Sequence, residues 1–245
     1  MSRMFLLPSG MPMKTWNIFV GCKFNCTYCA ARKLALGRLR NSPRYMNGFE
    51  PHMVFDEVGR KFKSGSFVFV SFMGDISFAR LAQIHHILML IYLQPDVDFL
   101  LCTKNPQVYI DWQAAGMVWS SNLYLGATIE TNYDYKLTKA PPPEKRYQAM
   151  VQLQHPHKFI SIEPIMNFHL RTMVDWIKEI GPEIVEIGPD NYNNNLPEPA
   201  SFVSGCRAPW KVRTLLEMLR DFVPTVVEKP GLSRLLDSVP ASPSP

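Results

Sequence analysis

Short apolar runs alternate with segments of helical period along almost the whole chain. Residues 16–20 (Trp-Asn-Ile-Phe-Val) predict a first strand. A helix is expected from about Tyr28 to Gly37, where a glycine suits the C-terminal cap. Residues 38–65 are less regular. Residues 66–72 are apolar enough throughout for a strand buried on both faces. Leu81, Ile84, Leu88 and Ile91 recur at helical spacing. Residues 98–103 predict a third strand, and Pro106 opens the helix after it. Residues 123–130, 158–163 and 183–188 complete six strands. Helices are expected before Gln154, over 169–180 and over 209–222.

Strands alternating with helices at these spacings imply βαβ units and a parallel sheet. The fold class is therefore α/β, and six units are too few for a closed eight-fold barrel. A partial (β/α)6 barrel with mostly parallel strands is expected over residues 15–228. Residues 1–14 form an N-terminal extension, and 229–245, rich in Ser and Pro at the end, are expected to be a disordered tail.

The parity of the last three predicted strands adds a function to that frame. Leu125, Ala127 and Ile129 alternate with Gly126, Thr128 and Glu130. Ile160 and Ile162 alternate with Ser161 and Glu163, and Val185 and Ile187 with Glu186 and Gly188, before Asp190. A parallel sheet covered by helices should be apolar on both faces. A polar face ending in carboxylates points instead to a polar lumen, whose ligands bind beyond the carboxyl ends of the strands. Pairing of these acids with rim cations is the alternative.

Of the 245 residues, 47% are hydrophobic and the net charge is +5, which permits an anionic partner without establishing one. No apolar run approaches the ~20 residues of a membrane span. The stretch Met4 to Leu7 is too short for a secretory core, so a cytoplasmic protein without membrane contact is expected. Three of the five cysteines, Cys22, Cys26 and Cys29, lie within eight residues, a pattern of metal binding rather than of a disulfide framework. Their C-x3-C-x2-C spacing lets each thiolate hold one iron of a cubane cluster and leaves the fourth iron open. A structural zinc, with Cys102, Cys206 or a histidine as fourth ligand, competes.

That spacing, with Tyr28 before the last cysteine and a strand before the first, resembles the radical S-adenosylmethionine superfamily. The segments Phe69 to Asp75, Leu101 to Pro106, Leu125 to Glu130 and Ser161 to Pro164 resemble its phage-associated proteins of uncharacterised function. They are more distantly similar to spore photoproduct lyase. Asn105 and the segment Glu186 to Asp190 depart from that pattern.

The resemblance implies a [4Fe–4S] cluster on Cys22, Cys26 and Cys29 and S-adenosylmethionine as the second cofactor, cleaved reductively to a 5′-deoxyadenosyl radical. It implies an external one-electron donor such as flavodoxin or ferredoxin. Gly74 and Asp75 would face the methionyl ammonium, and Tyr28 would place its backbone near the adenine. Thr128, Glu130, Ser161 and Glu163 would serve the ribose, sulfonium and methionyl group. Lys104 is a candidate for a carboxylate or phosphate, with an exposed rim lysine as the plain reading. Cys102, of the same strand parity, and Cys206 are candidates for hydrogen-atom donation, against the plain reading of small core residues. The expected substrate is a nucleotide or nucleic acid. The alternatives are a peptide or small metabolite, or a zinc-stabilised nucleic-acid-binding module without catalysis.

Overall fold

The computed structural model describes residues 13–199 and 210–236. The expected first strand is divided in two. β1 (Lys14–Trp16) joins the main sheet, whereas β2 (Phe19–Val20) pairs antiparallel with β3 (His52–Met53), beyond α1 (Ala30–Leu36). Asn17 causes the break: its Oδ1 accepts from Met73 N at 2.9 Å, a side chain in place of the next ladder bond.

The remaining elements follow the predicted alternation. They are β4 (Phe67–Val70), α2 (Leu81–Tyr92), β5 (Asp98–Thr103), α3 (Gln107–Ala114), β6 (Leu123–Thr128) and α4 (Pro143–Gln152). Then come β7 (Lys158–Ile162), α5 (Leu170–Ile180), β8 (Ile184–Ile187), α6 (Trp210–Arg220) and β9 (Thr225–Glu228). The buried stripe of α2 is Ile84, Ile87, Leu88 and Ile91, while Leu81 at its start is half exposed.

One sheet holds seven strands in the order β1-β4-β5-β6-β7-β8-β9, all parallel and curled into a half-barrel. The partial α/β barrel is thus as expected, with one strand more. The extra strand is β9, whose Thr-Val-Val run after Pro224 is a β-branched signal that the predicted pattern passed over. The chain packs on past β9: Leu232 and Leu235, in a 3-10 turn, are buried. Residues 229–236, expected in the terminal tail, therefore belong to the packed structure. No helix among the described residues is long and apolar enough to cross a membrane.

The two faces of the sheet differ as the parity predicts. Val70, Leu101, Leu125, Ala127, Ile160, Ile162, Val185 and Ile187 enter the main core beneath the helices. On the inner face the lower end is apolar, with Phe67, Leu100, Phe159, Ile184 and Val227 in one buried cluster. The register places Thr128 beside Ser161 and Ser161 beside Glu186 one level higher, towards the strand C-termini. Polar side chains occupy that upper end.

Candidate active site

Two glycines bring the cysteine loop to the upper end. Gly21 has φ +86°, and a Cβ there would lie 2.2 Å from Glu50 O. A Cβ on Gly74, just beyond β4, would lie 2.8 Å from both Gly21 N and Gly21 O. Only hydrogen at both positions permits this backbone contact. Gly21 N then donates to Met73 O (3.0 Å) and Asp75 N to Gly21 O (3.1 Å). From the other side Thr27 N donates to Leu137 O (3.0 Å) and Lys139 N to Phe24 O (2.7 Å). The loop is clamped between the end of β4 and residues 137–139, in the connection that follows β6.

Its three thiols face three local partners. Cys22 Sγ accepts from Phe24 N (3.4 Å), and Cys29 Sγ accepts from Arg32 N (3.3 Å) as the N-cap of α1. The Cys26 thiol donates to Thr138 Oγ1 (3.1 Å). Burial, and then Asp75, pushes the Cys22 thiol well up, and burial raises Cys29 as well. Among the described residues no three His, Cys, Asp or Glu side chains converge as they would on a single metal ion.

Beside the loop sits a buried charge network. Glu130 Oε1 accepts from Tyr28 Oη (2.5 Å) and lies 3.0 Å from Lys104 Nζ, and its Oε2 accepts from Arg146 Nη1 (2.8 Å). Burial pushes this carboxyl up, but Lys104, Arg146 and the Tyr28 hydroxyl override it and hold it at about 2. Lys104 Nζ also stands 5.3 Å above the Tyr28 ring. Two cations thus surround one carboxylate. Glu130 is the carboxylate partner of Lys104 Nζ, and Arg146 Nη2 is buried without a hydrogen-bond acceptor among the described residues. A second network joins β7, β8 and the residue after β9. Ser161 Oγ donates to Glu186 Oε1 (2.7 Å), and Lys229 pairs with Glu163 and lies 3.6 Å from Glu186 Oε2. Burial raises the Glu186 carboxyl.

Between these networks opens a cleft of about 440 Å3. Cys29, Tyr28 and Phe72 line one side, and Glu163, Asp190, Asn194 and Lys229 the other. Asp190 shapes its rim, accepting from Tyr192 N (3.1 Å) and from Asn194. Asn194 in turn accepts from Lys33 of α1.

The structure therefore brings Cys22, Cys26, Cys29, Tyr28, Lys104, Glu130 and Glu163 to one mouth. Lys104 is not the exposed rim lysine of the plain reading. Asp75 is committed to the protein. Its Oδ1 accepts from Ser77 N (3.0 Å), Ser77 Oγ (2.7 Å) and Thr103 Oγ1 (2.6 Å), and its Oδ2 from Lys104 N (3.0 Å). Gly74 serves the loop clamp. Cys102 sits lower in the lumen, Sγ 3.8 Å from Thr128 Oγ1, and burial, followed by Glu186, pushes its thiol up to about 12. Cys206 lies outside the described residues. Sequence reasoning missed Arg146 and Lys229. The first is an arginine on the apolar stripe of α4, between Pro143 and Met150, and the second follows the unrecognised strand β9.

Residues 12–187 match a family described as a protein of unknown function, DUF5131. The chain belongs to this family. No curated protein matches it. Among solved structures it is similar to a mutant of spore photoproduct lyase with dinucleoside spore photoproduct, at TM-score 0.52 and 11% identity. It is also similar to spore photoproduct lyase complexed with dinucleoside spore photoproduct, at TM-score 0.52 and 10% identity. In both cases 86% of this chain and 75% of the other are covered. At such identities the likeness carries the fold: the DUF5131 half-barrel has the architecture of spore photoproduct lyase.

Proposed function

We propose that this DUF5131 protein is a radical S-adenosylmethionine enzyme, with a [4Fe–4S] cluster on Cys22, Cys26 and Cys29. The observation that carries the reading is the placement of this loop at the open mouth of a half-barrel, with Cys29 lining the cleft. The donor set fits the cluster. A cubane takes each thiolate on a separate iron, so its ligands need not converge on one point. A zinc site needs that convergence. Two of the sulfurs already accept backbone N–H bonds, which hold thiolates in place and tune a cluster's potential. The excess positive charge of Lys104 and Arg146 over Glu130 suits an anionic neighbour. When bound, the cluster and S-adenosylmethionine supply a 5′-deoxyadenosyl radical for hydrogen abstraction.

The chain's own residues orient and exclude water. Tyr28, fixed by Glu130 and packed under Lys104, closes the floor between the loop and the lumen. Lys104, paired with Glu130 beneath the cleft, is the candidate to receive a carboxylate, and Glu163 and Asp190, which line the cleft with Cys29, are candidates for an ammonium or hydroxyl groups. Cys102, held as a neutral thiol by burial, has the S–H bond that hydrogen-atom donation requires.

The substrate reading is a nucleoside or nucleotide. The similar spore photoproduct lyase structures hold a dinucleoside product. The rim here carries Asn191, Asn194 and Tyr192, which suit base edges and faces. Among the described residues the cleft has one lining cation, Lys229, already tied to Glu163 and Glu186, which favours a small nucleoside over a long phosphate chain. A separate one-electron donor and a cytoplasmic setting complete the reading. The test is anaerobic reconstitution, reduction with dithionite and assay for 5′-deoxyadenosine. Product is expected from the wild type and none from Cys26→Ala. A wild type that carries a cluster and yields no more than the variant would refute it.

A further inference from the structure

The positive charge of this protein is not spread over its surface. Between Cys22 and Lys63 nine Lys or Arg side chains meet only three acids, Glu50, Asp56 and Glu57. This stretch carries a surplus of six, more than the whole chain's +5, so the rest of the chain is close to neutral. Its acids do not neutralise it evenly. Lys23 pairs with Glu50, and Arg44 and Arg60 both pair with Glu57. Arg32, Lys33, Arg38 and Arg40 have no carboxylate partner among the described residues.

Two of these four cations, Arg32 and Lys33, line a second depression, of about 480 Å3, formed by the cysteine loop and α1. Cys26, Cys29, Arg32, Lys33, Leu36 and Gly37 line it, and Arg38 and Arg40 are exposed just beyond Gly37. Cys29 lines both this depression and the cleft, so the loop is a thin wall between them. Leu34, Leu36 and Met46, 39%, 43% and 68% exposed, add apolar contact area among the charges. Of these Leu36 lines the depression itself, and exposed apolar area interspersed with charge suits a transient protein interface. Short-lived redox encounters occupy the small end of the interface range and depend on charge steering.

We propose that this basic outer face of α1 and the turn after it is the docking surface for a small acidic one-electron carrier protein of the ferredoxin class. The inference rests on the cluster assignment above. The carrier delivers through the wall at Cys26 and Cys29, while substrate uses the cleft on the other side. One electron leaves the reduced carrier, which is oxidised, and takes the cluster from its 2+ to its 1+ state. No proton or bond moves in that step. Charge complementarity selects an acidic partner. A nucleic acid is disfavoured here, because none of Arg32, Lys33, Arg38 and Arg40 lines the cleft where chemistry on a base would occur.

The test compares the reconstituted wild type with Arg38→Glu/Arg40→Glu, whose side chains touch neither cleft nor thiols. Lys61→Glu/Lys63→Glu, in the same basic stretch but away from the depression, serves as control. Binding of a reduced, acidic [2Fe–2S] ferredoxin is measured at low and high salt, and 5′-deoxyadenosine is followed with ferredoxin or dithionite as reductant. The expected result is binding at least tenfold weaker in Arg38→Glu/Arg40→Glu, with a flattened salt dependence. Ferredoxin-driven product should fall about as much, with dithionite-driven product unchanged and the control near wild type. Equal ferredoxin binding and reduction in wild type and variant overturns the proposal. So does a variant that loses only binding of a single-stranded oligonucleotide. A wild type inactive with dithionite defeats the enzyme reading instead, and the binding measurement still reads the surface.

Discussion

The two ends of the lumen are built on the same strands and in opposite chemistry. The lower end buries Phe67, Leu100, Phe159 and Ile184 against one another. The upper end, two residues further along β7 and β8, buries Ser161 and Glu186, and just beyond β6 it buries Glu130 against Arg146 of α4. Apolar burial there would be simpler, because removing charges from water costs several kcal/mol per ion even when they are paired. The lower end adds apolar packing across the inner face of the sheet. The upper end accepts a cost, and the only return visible in the structure is a charged, shaped mouth beside three thiols.

The largest effect should come from emptying the lower end. Phe159 is fully buried, and Phe159→Ala removes an aromatic ring from a packed cluster. A loss of about 3–5 kcal/mol is expected in urea unfolding. Iron bound per folded chain and 5′-deoxyadenosine per folded chain should stay near wild type. A variant that keeps its stability and loses its iron would reverse the assignment of the two ends.

At the upper end Arg146→Met leaves Glu130 buried with Lys104 as its remaining cation. A loss of about 3 kcal/mol is expected, the low end of what breaking a buried pair costs. Unlike the first variant, this one should also lower product formation, because Tyr28 hangs from the same carboxylate. Thermal unfolding combined with turnover separates the two outcomes.

The same network predicts an acid limb. Glu130 is held at about 2 in the folded chain, below the ordinary glutamate value of 4.5. A carboxyl depressed on folding stabilises the protein above the unfolded value and loses that contribution as pH falls towards the folded one. Up to about 3 kcal/mol should therefore disappear between roughly pH 4.5 and 2. The fall in urea midpoint from pH 6 to pH 3 should be smaller for Glu130→Gln than for the wild type. An identical pH slope in both would show that Glu130 is not the group responsible.

Much of this contrast was legible in the sequence, because strand parity is a hard constraint. The alternation of Ile160 and Ile162 with Ser161 and Glu163 by itself assigns each to a face. The cysteine spacing was legible for the same reason, since one loop must present all three thiols. What escaped was set by partners distant in sequence. Arg146 carries no signal of its own until Glu130 is known to lie against it. Asp75 reads as a ligand for an ammonium until Thr103 and Lys104 claim its oxygens. The division of the first strand depended on one side chain, Asn17, replacing a backbone bond.

Gly188 offers the smallest and most selective perturbation. A Cβ there would lie 2.9 Å from Cγ, Cδ and Oε1 of Glu163. These atoms end a flexible side chain, so Gly188→Ala can be absorbed by swinging Glu163 away, and with it the pair to Lys229. That pair is partly exposed at Glu163, and Lys229 keeps Glu186, so less than about 1 kcal/mol should be lost. Glu163 nonetheless lines the cleft opposite Cys29. Product formation should fall about tenfold with iron content unchanged. That is the converse of Phe159→Ala, where stability falls and chemistry does not. If Gly188→Ala instead costs as much stability as the ring deletion and spares turnover, Glu163 is part of the scaffold and the boundary between the two ends lies above it.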